Sequence, residues 1–294
     1  METISALLQQ LSFPQDSREQ LLQDLAKLDK SALAGILAPY GQTENCDYLQ
    51  MLEQMQLLCA GRGIREYCAN MLLFLCLAPT LKRRYAQRCI PEHIFYDSLM
   101  DLRYKLEECR LVKGELGTFV PKWYTGFFDL TRFALGRLQF ELKPLKKDCV
   151  LDGIPFSEES TAINIHIPRT GTRLDHGLVL DAYAQAADFF RSAFPDGNIV
   201  FTCHSWMLYP WIETVLHPDS NMAAFYRDFT IIDSGNYPDY RDAWRLFDCP
   251  YTGDPDKLPT DSSLRRAYVQ RIREGKPLGW GRGAFLYKQG EMAI

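Results

Sequence analysis

The hydrophobic rhythm of this chain changes once, after Gly114, and that single change limits what the chain can fold into. Before it, apolar residues recur at helical spacing. Leu7, Leu8 and Leu11 share one face, Pro14 opens a second helix with Asp16 and Ser17 near its start, and Leu21, Leu22, Leu25 and Leu28 keep the 3.6-residue period. A longer pattern runs through YLQMLEQMQLLCAGRG to the stop signals Gly61 and Gly63. REYCANMLLFLCLAP follows and is expected to stop at Pro79, and PEHIFYDSLMDLRYKLEECR starts a further helix at Pro91. These stripes read as core seams without chemistry, and Lys82-Arg83-Arg84 as a solvated helix face or helix end.

After Gly114 a period of two sets in. Leu138, Phe140 and Leu142 point one way, and Gln139, Glu141 and Lys143 the other. The turn-forming PLKKD and the run CVLDGIPF predict a hairpin with that strand. TAINIHIP is an alternating strand stopped by Pro168. The loop RTGTRLDHG leads into the helix LVLDAYAQAADFFRSAF, and IVFTCHSW has the nearly unbroken apolar run of an interior strand. Short helices over WIETVL and NMAAFYRDF, a strand FTIID, a strand around AWRLFDC, a helix over SSLRRAYVQRIRE and a last strand GAFLYK complete the order. The expected fold class is α+β: a helical N-terminal domain over 1–115, then a domain with a mixed sheet over 116–294.

Charge and cysteine usage remove several function classes. The net charge is −4 with no dominant Lys/Arg field, so a nucleic-acid backbone is not the expected partner. Nine cysteines are an odd number with no CxxC pair, which argues against a zinc site or a disulfide framework and for reduced, buried thiols; no metal is expected. METISALLQQLSF lacks the basic-then-apolar order of a secretion signal, and the apolar stretch Met71 to Ala78 is too short to span a bilayer. The expectation is a cytoplasmic protein with no membrane partner.

Three places could carry chemistry. The loop RTGTR lies directly before a helix, whose free N–H groups and dipole suit an anion, with Arg169 and Arg173 on either side; an ordinary strand-to-helix turn has the same pattern. The packet Cys203-His204-Ser205-Trp206 ends a strand. Alternation puts Cys203 and Ser205 on one face and His204 and Trp206 on the other, so a Cys203 nucleophile would need a partner from elsewhere, for instance His166 on the neighbouring strand. His166 and His204 both end strands, where sheet proteins place ligands, and an imidazole is the best general base near neutral pH. The glycines of GKPLGWGRGAFLY permit close backbone approach, either to a ligand or to another strand.

INIHIPRTG, CHSWMLYPWI, DSNMAAFYRDF, the late LPTDSSLRRAYVQRI and GWGRG, and the upstream YTGFFDLTRFALGRLQFEL together resemble a bacterial family of acyltransferase-like proteins. In that family a helical N-terminal domain precedes a GNAT-like acyl-CoA N-acyltransferase domain. The resemblance implies transfer of an acyl group from acetyl-CoA or another acyl-CoA to the amine of a small molecule or peptide. The acyl-CoA would lie in a wedge between the strands INIHIP and IVFTCHSW, against the backbone of Ile165 and Ile167. Arg169, Thr170, Gly171, Thr172 and Arg173 would hold the pyrophosphate, although their glycine stands one place earlier than in the usual loop pattern. His166 or His204 would be the base, and Tyr209 or Tyr226 the acid for the departing thiolate. The helical half would cover the acceptor side or serve as a homodimer face. Two other classes stay open: a binding or regulatory module without turnover, and a thiol enzyme using Cys203.

Overall fold

The structure, a computed structural model, describes residues 3–42, 46–237, 239–240 and 243–288. The chain divides into two compact units, residues 1–133 and 134–294. Among the described residues no helix is long and apolar enough to cross a membrane.

The first unit is helical: α1 (Ile4–Gln10), α2 (Gln15–Ala26), α3 (Lys30–Gln42), α4 (Tyr48–Ala60), α5 (Glu66–Gln87), α6 (Glu92–Lys113) and the single turn α7 (Thr125–Phe128). Its centre is α5, which buries residues on every side, from Cys68 through Phe74 to Tyr85. A helix apolar all round belongs inside a bundle. The expected stop at Pro79 does not occur, and α5 continues to Gln87. An interior proline costs about 3 kcal/mol. Burial of Leu81 and Tyr85 beyond it offsets that, at roughly 1.5–3 kcal/mol for a large apolar side chain. Arg84, read as a solvated residue, stacks its guanidinium 4.0 Å from the Tyr40 ring centre and donates to the Tyr40 carbonyl at 2.6 Å.

The second unit is built on a six-stranded sheet in the order β1-β2-β5-β6-β8-β7. Its strands are β1 (Arg132–Leu135), β2 (Leu138–Pro144), β5 (Thr161–His166), β6 (Ile199–Ser205), β7 (Thr230–Asn236) and β8 (Gly279–Tyr287). β3 (Cys149–Leu151) and β4 (Ile154–Phe156) form a separate two-stranded hairpin. The expected pairing of CVLDGIPF with β2 is therefore corrected. Asp152 and Gly153 both take positive φ, 50° and 80°, the geometry of the tight Asp-Gly turn, so the run closes on itself and β2 pairs with β5.

Helix α8 (His176–Phe189) covers one face of the sheet. Tyr183 from α8 meets Phe201 and Phe285, whose rings stack at 5.0 Å and 9°, and Phe140 packs edge-on against Phe201. On the opposite face, Leu145 and Leu151 of the hairpin region bury Ala162, Val200 and Ala284. The remainder of that second face is polar. After β6 come the short helix α9 (Asn221–Arg227), β7, the single turn α10 (Trp244–Phe247) and α11 (Ser263–Arg273). The segment AWRLFDC, expected as a strand, holds α10 instead, and Asp248 ends it in the left-handed region at φ 62°. Four apolar-patterned residues fit either period, and Phe247 gains a buried place among Tyr268, Val269 and Ile272 as a helix.

The glycines of GWGRG lie within β8, not before it. A Cβ on Gly281 would overlap the Leu208 carbonyl, and one on Gly283 would lie 2.6 Å from Phe229 Cβ. One face of β8 is thus bare so that the chain following β6 can press onto it, while Trp280 and Arg282 occupy the other. Gly281→Ala is expected to lower stability by about 1–3 kcal/mol, read as a reduced melting temperature, because backbone rather than a flexible side chain must move.

Candidate functional site

The parallel strands β5 and β6 are in register at only two positions, Ile163 with Phe201 and Asn164 with Thr202. Both run further. β5 continues to His166, held on its outer edge by β2 as Gln139 opposite His166. β6 continues to Ser205, held on its outer edge by β8 as Ser205 opposite Gly281. Each strand is clamped from outside to its last residue, yet the two are not joined there. Ile165 and His166 on one side, and Cys203 to Ser205 on the other, bound an opening edged by main-chain amides and carbonyls that can bond to something other than protein. Ile167 follows the end of β5.

The polar part of the sheet face flanks this opening. On the β5 side, His166 Nε2 lies 2.7 Å from Glu141 Oε1 and 2.9 Å from the Asn164 amide. Glu141 is buried, and its carboxylate fixes the proton of a neutral His166 on Nε2, leaving Nδ1 as the basic nitrogen. On the β6 side, His204 is exposed, and its ring lies 4.6 Å from the Trp280 ring centre at a 41° tilt. Arg282 stands opposite it on β8, and Asp233 opposite Arg282 on β7. Desolvation, and after it the Arg282 charge, hold the His204 pKa below its ordinary value of 6.5 against an opposing pull from Asp233. The strand-end histidines thus lie on the same sheet face, on either side of the opening. Asn164 and Arg282 went unremarked in the sequence, and Glu141 figured there only in the polar alternation of β2; that alternation, with that of β8, was the signal available.

The loop after β5 has its own architecture. Arg137 donates to the carbonyls of Pro168 at 3.2 Å, Thr172 at 3.4 Å and Arg173 at 3.5 Å. In a trans peptide the N–H points opposite to the carbonyl, so the amides of Arg169, Arg173 and Leu174 are turned away from Arg137. Gly171 takes φ 78°, and the hydroxyls of Thr170 and Thr172 meet at 2.7 Å. Asp175 caps α8 through the Leu178 amide. The Arg173 guanidinium has no partner among the described residues, whereas Arg169 is paired with Asp248. Asp248 also receives Arg265 at 2.6 Å; burial raises its carboxyl, but the hydrogen bonds from both arginines outweigh burial and hold it below the usual range. Outward amides and a free guanidinium suit a diphosphate.

The remaining candidates separate. The Tyr209 hydroxyl donates to Asn236 at 2.8 Å and accepts from Arg271 at 3.3 Å. Tyr226, on α9, is buried; burial first, then Glu213, raise its pKa. Neither phenol hydrogen-bonds to either histidine among the described residues. Cys203 is fully buried on the α8 face, and burial pushes its thiol up to about 12. A thiol so placed yields no thiolate at neutral pH, which removes the thiol-enzyme reading. A shallow apolar cleft, with an enclosed volume of only about 30 Å³, adjoins the end of β6, walled by Trp206, Tyr237, Leu246, Phe247, Tyr268 and Leu278. Trp206 directly follows Ser205, and Phe247 precedes Asp248, the partner of Arg169. The pocket is thereby flanked by the end of β6 and a segment tied to the loop.

Two outcomes follow in solution. In an NMR titration His204 titrates below 6.5, and Arg282→Gln moves its midpoint upward because the cation that disfavours imidazolium is gone. Iodoacetamide leaves Cys203 unmodified in the folded protein, as peptide mapping would report.

A family model described as the GNAT-like C-terminal domain matches residues 132–285, and one described as the N-acyltransferase N-terminal domain matches residues 2–130. Three solved acyltransferase structures resemble the chain, each at 24% identity. One, in complex with decanoyl-CoA and teicoplanin, matches with a TM-score of 0.75 over 96% of this chain and 87% of that chain. A second, with CoA and 10C-teicoplanin, has a TM-score of 0.76 over 98% and 88%. A third, with decanoyl-CoA, has a TM-score of 0.63 over 98% and 100%. At this identity the likeness carries the fold. No protein with a curated description matches the sequence.

Proposed function

The chain belongs to the family that carries the GNAT-like C-terminal domain, and on that premise we propose that it is an N-acyltransferase moving an acyl group from acyl-CoA to an amine by direct attack. The observation that carries the reading is the opening between β5 and β6, where their ladder is in register at only two positions, flanked by His166 and His204. An acyl-CoA thioester lying there would find a backbone amide at Ile165 or Ile167 to polarise its carbonyl. The outward amides of the 169–174 loop, with Arg173, would hold the pyrophosphate.

In this scheme the acceptor nitrogen forms a bond to the thioester carbon while His204 takes the proton from nitrogen. The carbon–sulfur bond then breaks, and the CoA thiolate takes a proton from Tyr226 or Tyr209. His204 suits the base because it is exposed on the polar face and held uncharged at neutral pH. His166, locked to Glu141, is the second candidate, since a carboxylate-oriented imidazole is also a base. The apolar pocket beside Trp206 would take the acyl chain, and complexes of like-folded acyltransferases with decanoyl-CoA and octanoyl-CoA support a chain of that length. The acceptor is a small-molecule or peptide amine; teicoplanin, a glycopeptide, is held by two of the like-folded structures.

Calorimetric titration with free CoA, acetyl-CoA, octanoyl-CoA and decanoyl-CoA is the direct test. Binding of all four is expected, tightening with chain length by about fourfold per buried methylene until the pocket is full. Arg173→Ala should weaken all four alike. Absence of any CoA binding would return the protein to a binding module of other specificity. With turnover in hand, His204→Gln should lower kcat/KM by about 10²–10⁴, and His166→Asn by less. The reverse order would make His166 the base. Since a low-pKa base must be unprotonated, wild-type kcat/KM should fall only as pH drops through a value below 6.5.

A further inference from the structure

Arg282 is a charge that the fold leaves unanswered. It is half-buried in the sheet, its Nε is wholly buried without a hydrogen-bond partner, and its guanidinium makes no ion pair among the described residues. Asp233 stands opposite it in register but closes no ion pair, and Asp233 Oδ1 instead accepts from the Ser234 amide at 3.0 Å. Desolvation lowers the Arg282 pKa despite that carboxylate. Withdrawing a guanidinium from water without a partner is costly, and the cost ends when an anion arrives to bond it.

We propose that Arg282, beside His204, is the acceptor subsite, and that it reads a carboxylate carried close to the nucleophilic nitrogen, so that the acceptor is an amino acid. This rests on the acyl-transfer reading above. His204 and Arg282 stand directly opposite each other on adjacent strands about 4.8 Å apart and on the same face, so one small acceptor could reach both with neighbouring groups. A guanidinium takes a carboxylate through two parallel hydrogen bonds. The CoA pyrophosphate is the wrong anion for this place: the loop that suits it follows β5, on the far side of the opening from β8. Asp233 on the next strand disfavours a doubly charged group and leaves a single carboxylate as the fitting charge. Trp280, whose ring lies tilted beside His204, gives the acceptor's side chain an apolar wall.

The experiment is steady-state kinetics with octanoyl-CoA and a panel of the common L-amino acids, each beside its carboxamide. Wild type should favour the acid over the amide by about 10- to 100-fold in kcat/KM, the worth of a charge-assisted hydrogen bond. Arg282→Gln should raise the amino-acid KM by the same factor, erase the preference and leave the octanoyl-CoA KM within about twofold, with Arg282→Lys between the two. Equal rates on acids and amides, or an Arg282→Gln defect that falls on kcat for both alike, would overturn the inference and leave Arg282 as a modifier of His204. If no CoA species binds, the acyl-transfer reading fails by itself. Amino acids titrated calorimetrically into wild type and Arg282→Gln then decide the subsite alone: binding lost in the variant upholds it, and no binding to wild type ends it.

Discussion

Two parallel strands that should pair along their length do so at two positions, and the rest of the second unit is arranged around that shortage. An unsatisfied backbone group away from water costs as much as a lost hydrogen bond, so strands do not separate without cause. Here the separation is held open from outside. β2 grips β5 to His166, and β8 grips β6 to Ser205. β8 can grip so closely because its glycine face lets the Leu208 backbone and Phe229 press onto it, which fixes the chain leaving β6. The opening is thus held apart from both outer sides, and under the proposed function a thioester hydrogen-bonded to a backbone amide along such an edge would occupy it.

The sheet assigns its two faces opposite dielectric duties. Beneath α8, Tyr183, Phe201 and Phe285 make a dry aromatic layer. The other face is half covered by the β3–β4 hairpin; beside the buried Glu141, its open half gathers Asn164, His166, His204 and Arg282. Charge is balanced unequally across the opening. On the β5 side, the buried Glu141 carboxylate has an imidazole against it. On the β6 side the Arg282 cation makes no ion pair among the described residues, and desolvation, with that cation's field after it, lowers the His204 pKa. In the proposed scheme this asymmetry would give the face a direction, with an anion held on the β8 side and a proton taken at its middle.

Much of this order could be read from hydrophobic runs and breakers. The succession of β5, a glycine loop, α8 and β6 follows from TAINIHIP, Pro168, an amphipathic stretch and the apolar IVFTC. What could not be read depends on contacts distant in sequence. Alternation shows that Glu141 and Phe140 face opposite ways, but it does not reveal that both faces are covered there, which turns an apparent surface carboxylate into the buried partner of His166. Arg137 organises loop carbonyls more than thirty residues later without any local pattern to mark it. The Asp-Gly turn was legible as a tight hairpin, yet its strands are so short that PLKKD looked like the better turn. Pro79 misleads because the rule for proline concerns an isolated helix, while α5 gains burial on both sides of it.

The packet Cys203-His204-Ser205-Trp206 shows how one backbone step sorts chemistry. Cys203 and His204 are neighbours in sequence, and the pleat sends them to opposite faces. The thiol enters the aromatic layer, where burial keeps it protonated and inert. The imidazole emerges on the polar face, where partial desolvation, and after it the Arg282 field, lower its pKa. Neither property belongs to the residue type. Had the register of β6 slipped by one, the thiol would stand beside an arginine that favours thiolate, and the imidazole would lie unpaired in the core. Register against β8, from Ile199 opposite Tyr287 to Ser205 opposite Gly281, prevents that slip. The bare glycine face of β8 fixes that register, because only in it do Gly281 and Gly283 meet Leu208 and Phe229. The reactivity of the site is therefore set by packing on the face of the sheet where no chemistry occurs.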